Sequence, residues 1–160
     1  MKRRSLLIAA GGAMLLPAFG RRTLAHEADV KPVLRTEEEW WDLLSPEQYA
    51  ILRAGETEDP GSSALNAEYR QGIYRCAACD LDLFRSEWKY NSRTGWPSFF
   101  DAIPGHLQEH RIILSYFTPI EYKCARCGGH HGHLFDDGPE PTGKRYCNNG
   151  KVLTFIPDEA

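Results

Sequence analysis

Apolar and polar positions change rhythm twice along the 160 residues. The first stretch, Leu6 to Phe19, is 14 residues of almost unbroken apolar sequence, interrupted by Gly11, Gly12 and Pro17. That is too short to cross about 30 Å of hydrocarbon as a helix. Lys2-Arg3-Arg4-Ser5 precedes it, and small residues follow at Ala18-Phe19-Gly20 and Thr23-Leu24-Ala25. This is the basic, apolar, small-residue order of an export signal. The arginine pairs Arg3-Arg4 and Arg21-Arg22 favour the twin-arginine type, with an uncleaved interfacial anchor as the alternative. Residues 1–25 are therefore expected to be a signal peptide, leaving a periplasmic chain from near His26 with no stable membrane span.

The second rhythm is helical and short. Thr36-Glu37-Glu38-Glu39 sets a cap and three acids ahead of Trp40, Trp41, Leu43 and Leu44, and acids are favourable at the positive end of a helix. In the next helix Ser45 is the N-cap, Pro46 takes the first helical position, Gln48 completes a capping box and Gly55 offers a left-handed exit. Residues 56–72 are turn-rich and aperiodic, with Pro60-Gly61-Ser62-Ser63, and read as an ordered loop.

Beyond Gly72 the chain predicts strands: Ile73-Tyr74-Arg75, Arg111 to Phe117, Ile120 to Lys123, Arg145-Tyr146 and the alternating Val152 to Ile156. Gly, Pro and Asn clusters separate them. No βαβ rhythm and no Gly-rich phosphate loop is present, which excludes Rossmann-type and P-loop enzymes. One mainly β, antiparallel domain over residues 36–158 is expected, with short helices on its N-terminal side.

With 42% hydrophobic and 26% charged residues, the chain is neither a disordered tail nor a polytopic membrane protein. Lys and Arg number 19 against 22 Asp and Glu; without residues 1–25 the balance is 14 against 22, a net of -8. No basic stripe interleaves with aromatics, so nucleic acid is not an expected partner.

The five cysteines carry most of the chemistry: Cys76-x-x-Cys79, Cys124-x-x-Cys127 and the solitary Cys147. Each pair follows a strand-like run, and Gly128-Gly129 follows the second. Two such knuckles offer four thiolates in a closed tetrahedral shell suited to structural Zn2+, clamping two hairpins that flank the rest of the domain. The alternative is two disulfides, which an exported chain permits, although a disulfide within C-x-x-C is strained. Export of an already folded chain agrees with metal loaded in the reducing cytoplasm. Cys147 is then the one free sulfur. It sits in Lys144-Arg145-Tyr146-Cys147-Asn148-Asn149-Gly150, downstream of His130-His131-Gly132-His133, and a lone cysteine with histidines and an asparagine is a candidate nucleophile. A small buried hydrophobe is the alternative for Cys147.

Further motifs stand in order: Gly72-Ile73-Tyr74-Arg75-Cys76, Leu83-Phe84-x-Ser86, Lys89-Tyr90, Thr94-Gly95-Trp96-Pro97-Ser98-Phe99, His130-x-Gly132-His133-x-Phe135-x-Asp137-Gly138-Pro139 and Thr142-Gly143-x-Arg145-Tyr146-Cys147-x-Asn149. From about Thr36 to Pro157 the chain resembles the zinc-containing methionine-R-sulfoxide reductases of the B type. The resemblance implies two antiparallel sheets in a β-tent. It also implies Cys147 as nucleophile, Trp96 against the substrate methyl, His130 and His133 beside the sulfoxide, and Arg145, Asp137 and Asn149 organising the site. The implied partners are oxidised methionine, in proteins or free, and a thioredoxin-like or other thiol reductant; the chain is expected to be a monomer. Leu83, Phe84, Phe99 and Phe135 are expected in the core.

Three positions depart from that pattern. Thr94 stands where many members carry a resolving cysteine, His131 where an apolar residue is usual, and Asn148 in place of a common aliphatic. A thiolate attacks a sulfoxide only when its oxygen is protonated or hydrogen-bonded, and the product, a sulfenic acid on Cys147, would need an external thiol unless one of the four zinc-ligand cysteines is sacrificed to it. Two other readings remain open on these residues: a zinc-clamped binding module with an aromatic pocket, and a thiol peroxidase or redox sensor using Cys147 alone.

Overall fold

The computed structural model describes residues 30–110 and 119–159. The export segment and the expected strand Arg111 to Phe117 lie outside the described residues.

Both helices start where the capping chemistry places them. The Thr36 hydroxyl accepts from the Glu39 amide at 3.2 Å and the Glu39 carboxylate accepts from the Thr36 amide at 2.7 Å, opening α1 (Glu37–Leu43). Ser45 and Gln48 repeat this, at 3.2 Å both ways, for α2 (Pro46–Leu52). Each such cap is worth about 1 kcal/mol. Trp40, Leu44, Ile51 and Leu52 are buried. Trp41 and Leu43, expected on the same apolar side, are instead exposed, because two turns of helix bury only one stripe. Trp41 rests edge-on against Tyr49, 4.8 Å between ring centres.

Nine strands follow among the described residues: β1 (Gly72–Cys76), β2 (Asp82–Arg85), β3 (Lys89–Tyr90), β4 (Ser98–Phe99), β5 (Leu107–His110), β6 (Ile120–Cys124), β7 (His130–Phe135), β8 (Arg145–Asn148) and β9 (Leu153–Pro157). They form two antiparallel sheets, ordered β2-β1-β9 and β3-β4-β8-β7-β6-β5. The expected mainly β fold of two antiparallel sheets is what the chain adopts. Aromatic rings fill the space between them. Phe84 of β2 stacks on Phe99 of β4 at 4.2 Å and 6°, Tyr74 of β1 meets Phe99 edge-on at 4.9 Å, and Tyr122 and Tyr146 close the cluster at 5.5 Å. Tyr74, Leu83, Phe84, Phe99 and Tyr122 have no exposed surface.

β7 carries one residue more than its partner. The ladder to β6 steps from Tyr122↔Gly132 to Lys123↔His130, leaving His131 as the bulged residue. Its ring turns into the interior and is fully buried, with neither nitrogen hydrogen-bonded. Beside it the Tyr122 hydroxyl donates to Asn148 Oδ1 at 2.9 Å, so His131 and Asn148 share one buried polar spot between β6, β7 and β8.

Burial, and secondarily the neighbouring His130, push the His131 pKa from 6.5 down to about 3. The folded chain therefore leaves this ring neutral where the unfolded chain protonates it. Stability should fall as pH drops from 6.5 toward 3, by up to about 1.4 kcal/mol per unit from this residue. Urea midpoints between pH 7 and 4.5 should decline less steeply for His131→Leu than for the parent; equal slopes would show that another group sets the acid limit.

Candidate active site

Antiparallel partners point to the same side of a sheet, so the register sorts side chains by face. Phe99, Tyr146, Leu134 and Ile120 stand in one row across β4, β8, β7 and β6 and face the aromatic core. The adjacent row is Tyr90, Ser98, Cys147, His133, Glu121 and His110, running from β3 to β5 on the opposite face. The candidate nucleophile is thus flanked by a serine on one strand and a histidine on the other. Arg145 and Phe135, paired one step along, share that face.

His130 and His133 are three apart and in a regular strand would face opposite sides. The bulge at His131 returns His130 to the face of His133, with ring centres 5.4 Å apart. His130 Nδ1 donates to Glu121 Oε1 at 2.7 Å, while its Nε2 is buried without a partner. Gly132 is required between them: a methyl on its α-carbon would overlap the Cys147 carbonyl oxygen, because β7 and β8 approach closely here.

Above this row lies a cleft of about 160 Å³ lined by Thr57, Trp96, Gly132, His133, Phe135, Cys147 and Asn149. Trp96 is one wall and its indole N–H donates to the Glu58 carbonyl at 3.1 Å. Asn149 is held by its Oδ1, which accepts from the Glu58 amide at 3.0 Å, and by its Nδ2, which donates to the His131 carbonyl at 3.1 Å. Arg145 lies over the Phe135 ring, 4.0 Å from its centre, and forms a two-point ion pair with Asp137 at 2.7 and 2.8 Å. That pair holds the Asp137 carboxyl below its ordinary range.

Burial pushes the Cys147 thiol above its ordinary pKa of about 9. The Arg145 charge and the Thr94, Arg145 and Ser98 donors around the sulfur pull the other way. Burial also lowers His133, with His130 adding to the effect and Glu121 opposing it. Near neutral pH the resting pair is therefore an uncharged thiol beside an uncharged imidazole. Tyr90 adds a buried hydroxyl with no hydrogen-bond partner, in the electrostatic reach of Arg145, Asp137 and Cys147.

The other four cysteines gather where β1 and β6 end. Their sulfurs all lie within 4.8 Å of one another, with Cys76 to Cys127 at 3.6 Å and Cys79 to Cys124 at 3.5 Å. None is bonded as a disulfide. A tetrahedron of sulfurs at 2.3 Å from a metal has edges of about 3.8 Å, so the four fit one ion. Each knuckle closes alike: the amide of the residue after the second cysteine returns to the first cysteine carbonyl, Asp80 to Cys76 and Gly128 to Cys124, both at 2.9 Å, and both residues are left-handed, at φ 56° and 69°. One knuckle joins β1 to β2 and the other joins β6 to β7, so an ion here ties the two sheets together.

The structure brings Cys147, His133, Asn149 and Trp96 to one cleft and sets Arg145 and Asp137 at its edge. It places His130 behind His133 rather than in the lining. Phe135, expected in the core, is a wall of the cleft, since it falls on the Cys147 face of β7. Sequence patterning assigns no role to Glu58, Thr57 or Glu121, and Ser98 stands there only as a member of the Trp96 motif. Ser98 and Glu121 follow from register alone, and Glu58 lies in an aperiodic loop that carries no local signal.

The SelR domain family matches residues 44–157. A peptide methionine sulfoxide reductase MsrB of Methanosarcina barkeri is 49% identical over 130 residues, covering 81% of this chain and 92% of the relative. The MsrB of Agrobacterium fabrum is 46% identical over 126 residues, 78% of this chain and 93% of the relative. The chloroplastic peptide methionine sulfoxide reductase B2 of Arabidopsis thaliana is 39% identical over 164 residues, 98% of this chain and 80% of the relative. With a cysteine, a histidine and a tryptophan converging on one small cleft and a four-thiol cluster apart from it, this chain belongs to the SelR family, that of the B-type methionine sulfoxide reductases.

Proposed function

We propose that this methionine sulfoxide reductase acts on the R epimer, in polypeptides and as the free amino acid, with Cys147 as its only redox sulfur. The observation that carries this is the isolation of Cys147: the other four sulfurs are gathered in their own cluster, and the neighbour beside it is Thr94, which has no sulfur to offer. Trp96 and Phe135 offer apolar walls to the substrate methyl, while His133, backed by the His130–Glu121 pair, offers a proton to the sulfoxide oxygen.

The uncharged resting pair fits this chemistry. The Cys147 proton passes to the sulfoxide oxygen by way of the His133 imidazole, the sulfur attacks the sulfoxide sulfur, and the oxygen leaves on Cys147. Thiol and sulfoxide become sulfenic acid and thioether, two electrons moving from cysteine to methionine. Two equivalents of an external thiol then return Cys147 to the thiol, giving one disulfide and one water. A thioredoxin-like protein or small dithiol meets that need. Arg145 steadies the thiolate during attack.

Cys76, Cys79, Cys124 and Cys127 would hold one Zn2+, which supplies cross-linking and no redox chemistry. The all-sulfur donor set favours zinc. Residues 1–25 support twin-arginine export to the periplasm, where thiolates bound to metal resist oxidation. The working form is taken as a monomer.

Separate R and S sulfoxides of a methionine derivative, incubated with dithiothreitol, should give thioether from R alone; activity on both, or neither, would end the proposal. One turnover without reductant should leave a sulfenic acid trapped on Cys147. Metal analysis of the native protein should find one zinc per chain, and Cys76→Ser or Cys127→Ser should lose metal and cooperative unfolding together. Two disulfides and no zinc would refute the clamp. Alkylation of Cys147 by iodoacetamide, followed by mass spectrometry, should have a pH midpoint above 9. Arg145→Ala should move that midpoint higher and slow the reaction at pH 8 about tenfold, the effect of one pKa unit.

A further inference from the structure

A carboxylate buried away from water is costly unless several donors satisfy it. Glu58 is 6% exposed, yet it lies in the loop between α2 and β1. Its two oxygens are each satisfied by a backbone amide: Oε1 accepts from Gly150 and Oε2 from Lys151, both at 2.8 Å. Those amides belong to the 3-10 turn Gly150–Val152, directly after Asn149. The same residue meets the cleft with its backbone. Its N–H holds Asn149 Oδ1 at 3.0 Å and its carbonyl takes the Trp96 indole N–H at 3.1 Å.

These four bonds have a consequence for both walls. With Oδ1 on the Glu58 amide and Nδ2 on the His131 carbonyl, the Asn149 amide has one orientation only. Trp96 has a single polar hydrogen, and it is committed to Glu58, so the plane of the indole facing the cleft is set by where this loop sits. The loop makes its side-chain connection to the Gly150–Val152 turn through the Glu58 carboxylate. The turn is anchored in its own right, because Ala77, inside the first cysteine knuckle, donates to the Val152 carbonyl at 3.0 Å.

We propose that Glu58 is a positioning residue for sulfoxide reduction: its carboxylate fastens the loop whose backbone orients Trp96 and Asn149. This rests on the assignment of the cleft to methionine sulfoxide. Truncating the carboxylate frees two amide donors and lets the loop move, carrying both anchors with it. Cys147, His133 and Arg145 are placed by the sheet ladder and keep their geometry. The effect should therefore fall on substrate binding and leave the reactivity of the sulfur alone.

The test uses the full folded domain with its metal. Glu58→Ala should raise KM for the R sulfoxide about tenfold with kcat within threefold, and iodoacetamide should alkylate Cys147 at the parent's rate. The indole 15N–1H resonance of Trp96, assigned by its loss in Trp96→Phe, should shift and exchange faster with water. Glu58→Gln keeps the shape and one acceptor, so its KM should rise only about threefold with a smaller resonance shift; it carries the test if the alanine variant does not fold. Glu47→Gln serves as the matched control, since Glu47 pairs with the Lys151 ammonium from the solvent side, and it should change neither quantity. A Glu58 variant with lowered thermal stability but the parent's KM and indole resonance would make Glu58 purely structural and overturn the proposal. If the parent turns over neither epimer, it is the assignment of the cleft that fails, while the resonance still reports whether Glu58 holds Trp96.

Discussion

Were β8 to slip by one residue between β4 and β7, Cys147 would turn into the aromatic core and Tyr146 would take its place at the cleft. The backbone ladder that pairs Ser98, Cys147 and His133 fixes which of these faces is chemical and which is structural. Tyr146, Phe99 and Leu134 hold the register from the other side, because any slip would take them out of the core and put polar groups in. The close approach at Gly132 adds a steric pin, since no other residue lets β7 sit so near the Cys147 carbonyl. Packing on one face thus pre-sets chemistry on the other.

The cleft built on that register balances two opposing demands. Burial against Trp96 and Phe135 gives an apolar slot for a thioether-like group, and the same burial disfavours charge on both Cys147 and His133. Arg145 eases the cost locally, and Asp137 keeps Arg145 in place over Phe135. Burial therefore favours the uncharged thiol at rest. The four-thiol cluster lies at the strand ends, away from this slot, and joins the hairpins whose strands carry the core aromatics.

Local chemistry was legible in the sequence wherever neighbours in the chain decide it. The Thr36/Glu39 and Ser45/Gln48 caps, the paired C-x-x-C turns and the alternating run into β9 each need only a few consecutive residues, and all formed as expected. β7 was not legible: His130-His131-Gly132-His133 is too polar and too glycine-rich to read as a strand, and only pairing with β6 and β8 makes it one. The motifs shared with a known family named Cys147, Trp96, His130, His133, Arg145, Asp137 and Asn149 around one substrate, without giving the strand register and hydrogen bonds that place them.

What the sequence by itself determined, then, is the set of reactive groups and the local turns that present them: one sulfur left over from two knuckles, donors nearby, and two capped helices. The tertiary structure alone decided which groups share a face. A bulge at His131 swings His130 round to His133, β7 turns Phe135 out of the core, and a loop with no periodicity delivers Glu58 to Trp96 and Asn149. The physical reason is that face and register are properties of strand pairs and of buried polar groups finding partners far along the chain, about 90 residues away in the case of Glu58 and Asn149.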